Sequence, residues 1–226
     1  LAARKDVEVR AVCDVDAGHG AGLVRRFHAD GVIDRQFAPT RLAAAATLGI
    51  GNQEEQVRRF GRGGDDLLDG NVLVELLARV GGTVPQVIEL KRHFDGTVAV
   101  ARRAAEVLAG YKGPAAMMSF DPDLVATVRR LAPHIPRGIT MERRYDDPEW
   151  APLSNATKFA WGNLLHFPRT RPDFVAHYVK ELPAPAPSLA RKLLGLPLLT
   201  WTVRTEADRA VARLHADQMI FEGFRP

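Results

Sequence analysis

The chain has 226 residues, of which 46% are hydrophobic, and its net charge is +4. This length suits one large α/β domain or two small ones, and the hydrophobic share is enough for a sizeable core. The basic excess is small, 31 basic against 27 acidic residues, and it is spread along the chain, so we expect no nucleic-acid partner. No apolar run reaches the roughly 20 residues that a membrane span requires.

The chain has a single cysteine, Cys13, which excludes a disulfide within the chain. A lone cysteine favours a reducing compartment, so we expect a cytoplasmic protein. The sequence shows no signal peptide and begins at Leu1 rather than Met. This leaves open whether the natural N-terminus, with a targeting segment, precedes it.

The first 84 residues show weak patterns. Residues 7–15 alternate loosely and predict a strand that ends at Asp14, and residues 23–28 predict a second short strand. The Ala-rich run 41–48 predicts a helix, and the Gly-, Arg- and Asp-rich run 58–69 predicts a loop. Residues 72–80 carry apolar side chains at helical spacing, and Gly81 with Gly82 then ends the predicted helix.

From residue 85 onward, strands and helices alternate. We predict strands at 86–91, 115–119, 136–141, 173–180, 196–203 and 217–222, with helices at 97–108, 122–131, 154–166, 188–194 and 205–215. Asp121 before Pro122 predicts a capped helix start, Thr205 with Asp208 resembles a capping box, and the Pro-rich run 183–187 predicts a stiff loop. The alternation predicts a parallel sheet, but it leaves open a barrel or an open doubly wound sheet.

The strand at 86–91 ends in charged residues. Val87, Glu89 and Lys91 share one face of it, because successive side chains of a strand alternate. The carboxyl ends of parallel strands are where α/β barrels and open sheets keep their active sites. Taken alone, the stretch is also compatible with an ordinary edge strand that has one polar face.

Other predicted strand ends carry further polar and aromatic side chains. Carboxylates there suit a hard divalent cation, and cations beside such a metal suit a phosphate ester. Asp121 is better explained as a helix cap, and Arg143 is better explained as a solvated residue. The full set of strand-end candidates is Glu89, Lys91, Ser119, Phe120, Asp121, Glu142, Arg143, Trp201, Arg204 and Glu222.

Four blocks of sequence, taken together in their order along the chain, resemble the glycerophosphodiester phosphodiesterase family. The resemblance is strongest to the bacterial members of that family. The four blocks are VIELK at 87–91, MSFDPDLV at 118–125, LPLLTWTVRTEADR at 196–209 and DQMIFEGFRP at 217–226. The resemblance covers about residues 85–226. We therefore expect a single phosphodiesterase-type domain over 1–226, with a poorly matching part at 1–84 and a well-matching part at 85–226.

The resemblance implies a TIM-type (β/α)8 barrel in the α/β class. It also implies hydrolysis of glycerophosphodiesters to an alcohol and glycerol 3-phosphate, a step of glycerophospholipid metabolism, with Mg²⁺ or Ca²⁺ as cofactor. By the same resemblance, Glu89 is a metal ligand and Lys91 a catalytic residue that approaches the phosphate. Phe120 and Trp201 are then substrate-binding residues at the mouth of the site.

The N-terminal part departs from the family pattern. The family's HRG strand is missing, so we expect a barrel without its first strand. VCDVD resembles the family's E-x-D strand with Val12 in place of the glutamate, which leaves Asp14 as the metal ligand. FHADGVIDR resembles the segment of the second catalytic histidine, which is His28 here.

Three explanations of this departure stay open: a fragment that lacks its first strand, a corrupted or shifted reading frame, or divergence with loss of catalysis. The alternative function is a catalytically impaired barrel that binds phosphate-containing ligands.

Overall fold

The computed structural model describes residues 7–8, 71–82, 85–91, 96–222 and 224. Its strands are β1 (Val7–Glu8), β2 (Gln86–Leu90), β3 (Ala115–Ser119), β4 (Arg137–Met141), β5 (Phe174–Tyr178), β6 (Leu198–Val203) and β7 (Gln218–Phe221). Its helices are α1 (Asn71–Val80), α2 (Ala99–Ala109), α3 (Pro122–Leu131), α4 (Asn155–Gly162), α5 (Phe167–Thr170), α6 (Pro185–Leu194) and α7 (Glu206–His215). Two short 3-10 helices are Pro148–Trp150 and Val179–Glu181.

All strands belong to one sheet, in the order β1-β2-β3-β4-β5-β6-β7. Strands β2 to β7 are mutually parallel, which confirms the six parallel strands predicted from residue 85 onward. Strand β1 instead pairs antiparallel with β2, with Val7 opposite Leu90 and Glu8 opposite Glu89. A further strand of an alternating barrel would run parallel, so β1 differs from the barrel strand expected near residues 7–15.

The six parallel strands curl into a half-barrel. Inner side chains of the first and the last of them, Val87 and Ile220, pack in one cluster with Phe174 of β5 and Leu199 of β6. On the convex face, helices α1 to α3 cover β2 and β3 through residues such as Leu77.

The structure confirms the predicted N-termini of the two helices that follow β3 and β6. The Asp121 carboxylate accepts a hydrogen bond from the Asp123 N–H at 2.8 Å, and Pro122 follows as the first helical residue. Thr205 and Asp208 bond each other's backbone N–H groups at 3.1 and 3.2 Å, which is a complete capping box. These caps fix where the chain turns at the ends of β3 and β6.

Two predicted helices have wrong bounds. Helix α6 begins at Pro185, within the run predicted as a loop, because a first helical turn has no backbone N–H bonds for proline to lose. The helix predicted at 154–166 ends at Gly162, and α5 follows it as a separate short helix. Gly162 packs so closely on the Arg143 carbonyl oxygen that a Cβ would lie 2.9 Å from it.

The predictions for residues 9–70, including the second strand, the Ala-rich helix and the loop, lie outside the described residues. The assignment of the whole chain to a single domain therefore stays a prediction. No helix in the described ranges is both long and apolar enough to cross a membrane.

Gly138 provides a test of the half-barrel interior, because a Cβ there would lie 2.2 Å from Cε2 of the Phe174 ring. We expect Gly138→Ala to lower the free energy of unfolding by about 1–3 kcal/mol, the usual cost of overpacking. Urea unfolding measures this. The control is Gly110→Ala, whose Cβ would meet only the Val107 carbonyl oxygen at 4.0 Å. An equal loss in the two variants would contradict the interior packing.

Candidate active site

The pair Glu89 and Lys91 lies at the carboxyl end of β2. Val87 packs in the interior cluster, so Glu89, two residues later, faces the same concave side. Glu89 is only 4% exposed, and the Lys91 ammonium lies 2.9 Å from its Oε1 atom. The open end of the half-barrel thus holds a buried carboxylate with a cation beside it.

Ser119 joins the end of β3 to the end of β2. Its hydroxyl donates to the Leu90 carbonyl oxygen at 2.7 Å and accepts the Asp121 N–H at 3.0 Å. Ser119 is fully buried, and Asp121 caps α3. These two strand-end candidates therefore hold the backbone at the site in place.

Four aromatic side chains surround the mouth, and we call them the aromatic rim: Phe120, Trp150, Tyr178 and Trp201. The Phe120 ring centroid lies 4.9 Å from that of Trp150 and 5.4 Å from that of Trp201, and Tyr178 lies 5.1 Å from Trp201. Trp150 is buried, while the other three are partly exposed. The structure thus brings together Phe120 and Trp201, the two residues predicted to line the mouth.

Glu142 follows β4 and is a buried carboxyl among other acids. It is 8% exposed, and its Oε1 atom accepts no hydrogen bond in the described part of the chain. Burial raises the pKa of Glu142 to about 7, and the charges of Glu181, Asp147 and Glu149 add to this rise. The Trp150 indole N–H acts in the opposite direction and lowers the pKa.

Glu181 anchors the segment after β4 to the segment after β5. Its carboxylate accepts the backbone N–H of Arg143 and lies 3.5 Å from the Arg144 Nε atom. His177 Nδ1–H donates to the Tyr178 carbonyl oxygen at 3.0 Å, and its Nε2 atom lies 3.9 Å from Glu181. Burial lowers the pKa of His177, although the Tyr178 carbonyl and Glu181 act against it, so this histidine favours its neutral form.

His177 lies on the convex side of the sheet. Val175, two residues earlier in β5, packs in a cluster of the outer face with Leu198. His177 therefore points away from the side that carries Glu89.

Two further strand-end candidates, Arg204 and Glu222, pair with each other, while Arg143 is bound within the described ranges only through its backbone N–H. The Arg204 guanidinium is ion-paired with Glu222, so these two candidates satisfy each other. Asp14 and His28 lie outside the described residues. The functional roles of Glu89, Lys91, Phe120 and Trp201 stay predictions.

Sequence reasoning did not single out Tyr178, Trp150 and Glu181. The alternation Phe174, Ala176, Tyr178 along β5 carried the signal for Tyr178. Trp150 and Glu181 lie in 3-10 turns, which leave no periodic pattern to detect. Within the described ranges, no three His, Cys, Asp or Glu side chains group so that they could hold a metal ion.

No protein-family model and no curated protein matches this sequence. Among solved structures, the chain is similar to a protein from Silicibacter pomeroyi assigned as a glycerophosphoryl diester phosphodiesterase. The TM-score is 0.51 at 20% identity, over 66% of this chain and 52% of that one. A glycerophosphodiester phosphodiesterase from Parabacteroides distasonis gives a TM-score of 0.46 at 18% identity, over 66% and 58% of the two chains.

A third solved structure is a phosphodiesterase from Oleispira antarctica in complex with the product sn-glycerol-3-phosphate. It gives a TM-score of 0.41 at 15% identity, over 55% of this chain and 45% of that one. The similarity to the Silicibacter structure confirms, at the level of the fold, the resemblance predicted from the sequence. The half-barrel is built like part of a glycerophosphodiester phosphodiesterase, and this chain spans about half the length of that structure.

The link between Lys180 and Asp208, 2.6 Å long, joins the segment after β5 to α7 and gives a pH-dependent prediction. Burial raises the pKa of Asp208, but Lys180 and the N–H groups of Arg204 and Thr205 outweigh burial and lower it to about 2. The folded state therefore binds a proton less readily than the unfolded state, whose Asp has a pKa of about 3.9. The stabilisation is present above that value and is lost as the pH falls towards 2.

We expect Asp208→Asn to lose about 1–3 kcal/mol of stability at neutral pH, because it breaks buried hydrogen bonds to charged groups. The difference from the wild type should shrink as the pH falls from about 4 to about 2. Denaturant unfolding at several pH values measures this, with the exposed Asp146→Asn as control. A difference that stays constant down to the lowest pH would argue against the low pKa of Asp208.

Proposed function

We propose that this chain hydrolyses glycerophosphodiesters to an alcohol and glycerol 3-phosphate with the help of Mg²⁺ or Ca²⁺. The observation that carries the proposal is the Glu89–Lys91 pair, 2.9 Å apart, on the concave face at the carboxyl end of a parallel strand. The fold similarity to a phosphodiesterase supports it. In this proposal, the half-barrel belongs to a (β/α)8-type barrel from which the first strand is missing.

Glu89 is the type of ligand that the proposed metal ion requires. A buried carboxylate is an oxygen ligand of the type that Mg²⁺ and Ca²⁺ prefer. Because the described residues hold no group of three such ligands, the other ligands would come from outside them, where Asp14 is predicted. When bound, the ion would polarise a phosphoryl oxygen.

The residues of the chain itself have two tasks in this proposal. The Lys91 ammonium, which offers three donors, would neutralise charge that develops on the phosphate. Phe120 and Trp201 would pack against the substrate and keep water away, which strengthens each electrostatic contact inside the site.

Glu89→Ala is the first test of the proposal. We expect the rate of glycerophosphocholine hydrolysis with Mg²⁺ to fall at least about 100-fold, since a direct metal ligand is lost. Calorimetric titration with Mg²⁺ should show weaker metal binding, independently of activity. Glu106→Gln, on the exposed face of α2, is the control. Unchanged hydrolysis in Glu89→Ala would overturn the role of Glu89.

Lys91→Ala tests the phosphate contact. We expect kcat to fall about 10²–10³-fold, as for loss of one donor to the developing charge, with partial recovery in Lys91→Arg. Lys112→Ala serves as control, because Lys112 is exposed and precedes β3, at the opposite end of the strands. A higher KM at unchanged kcat would instead mean that Lys91 only binds the substrate.

A second candidate function is a barrel that binds phosphate-containing ligands without hydrolysing them. The positions of the histidines favour this function, because no histidine within the described ranges lies beside Glu89. His134 precedes β4, His166 lies between α4 and α5, His177 is on the convex side and His215 ends α7. Phosphorus NMR of a glycerophosphodiester with the protein separates the two functions. Line broadening without new product signals would favour the binding protein.

A further inference from the structure

Glu142 lies on the same concave side as Glu89. Gly138 of β4 faces the Phe174 ring in the half-barrel interior, and alternation places Thr140 and Glu142 on that side as well. Only β3 separates β4 from β2. The strands that carry the two carboxyls are therefore about 10 Å apart, a separation that a phosphodiester with its two alcohols can span.

The surroundings of Glu142 favour a carboxyl that carries a proton. It is more than nine-tenths buried, and its Oε1 atom lacks a partner among the described residues. Acids act on it from two segments: Asp147 and Glu149 from the segment after β4, and Glu181 from the turn after β5. The nearby cation, Arg144, is largely exposed and is paired with Glu181 and Asp146.

Glu142 and Glu89 have opposite environments. Glu89 has a lysine ammonium at 2.9 Å, whereas Glu142 has carboxylates around it and the Trp150 indole against it. Two carboxyls of one site in such different surroundings are suited to different roles. A carboxyl held against a tryptophan in an apolar pocket is a recurring form of general acid.

The aromatic rim connects Glu142 to the mouth. Trp150, whose indole acts on the pKa of Glu142, is in ring contact with Phe120, and Phe120 is in ring contact with Trp201. The ring contacts therefore link the surroundings of Glu142 to Phe120 and Trp201. Because Glu142 is buried, a proton held there is shielded from bulk water.

We propose that Glu142 is a catalytic acid of this site and gives its carboxyl proton to the leaving alcohol. The inference rests on the proposed phosphodiesterase function. As the bond from phosphorus to the ester oxygen breaks, that oxygen keeps the electron pair and takes the Glu142 proton. The attacking water forms the new bond to phosphorus and releases a proton to solvent, from which the Glu142 carboxylate is protonated again.

The test compares two substrates in the presence of Mg²⁺: glycerophosphocholine, whose leaving alcohol needs a proton, and the 4-nitrophenyl ester of glycerol phosphate, whose leaving group does not. We expect Glu142→Gln to slow the choline ester about 10²–10⁴-fold and the nitrophenyl ester only a few-fold. A merely structural role would slow the two esters alike. Glu206→Gln, exposed on α7, is the control.

The pH profile gives an independent readout in the wild-type protein. The rate for the choline ester should fall as the pH rises through about 7, where Glu142 loses its proton, while the nitrophenyl ester lacks this fall. If circular dichroism shows that Glu142→Gln does not fold, the wild-type pH profiles for the two esters still test the role of Glu142. Identical pH profiles for the two esters would overturn the role of Glu142.

The remaining outcomes separate the two proposals. Hydrolysis of the choline ester at the wild-type rate by Glu142→Gln, or an equal loss with both esters, overturns the acid and leaves the phosphodiesterase intact. A wild-type protein that hydrolyses neither ester overturns the proposed function, and the role of Glu142 with it.

Discussion

Packing of side chains on the concave face is the constraint on which the rest of this structure depends. Phe174 fills the interior beside Gly138, and one cluster includes Val87 of the first parallel strand and Ile220 of the last. In the sheet of the described residues, β7 pairs only with β6, and one cluster of side chains lines the concave face from β2 to β7. That curvature is what gives Glu89, Glu142 and the aromatic rim a common mouth.

The site combines a cation beside one carboxyl with acids around another. Solvation explains why this matters: a buried carboxylate needs a charge partner or hydrogen bonds, and without them it favours its neutral form. Lys91 supplies such a partner for Glu89, and the environment of Glu142 withholds one. The different surroundings of the two glutamates therefore follow from the strand end at which each one lies. The same two-residue alternation places both on the concave face.

The βα rhythm after residue 85 was predictable because each strand is a short apolar run and several helices start at explicit caps, such as Asp121 and Thr205. The Glu89–Lys91 pair was predictable for the same reason, since alternation decides which face a strand residue occupies. Trp150 and Glu181 were not, because their positions depend on how 3-10 turns pack against neighbouring strands. The predicted start of α6 was also wrong, because a run of prolines is compatible with a loop and with the first turn of a helix.

The two-residue antiparallel pairing of β1 has a consequence for the edge of β2. An edge offers one row of N–H and C=O groups, and β1 uses that row at Glu89 and Leu90. A parallel strand placed before β2, as in a complete barrel, would need the same groups. The two arrangements exclude each other, and the longer ladder makes more hydrogen bonds. The β2 edge can therefore hold only one of these two partners at a time.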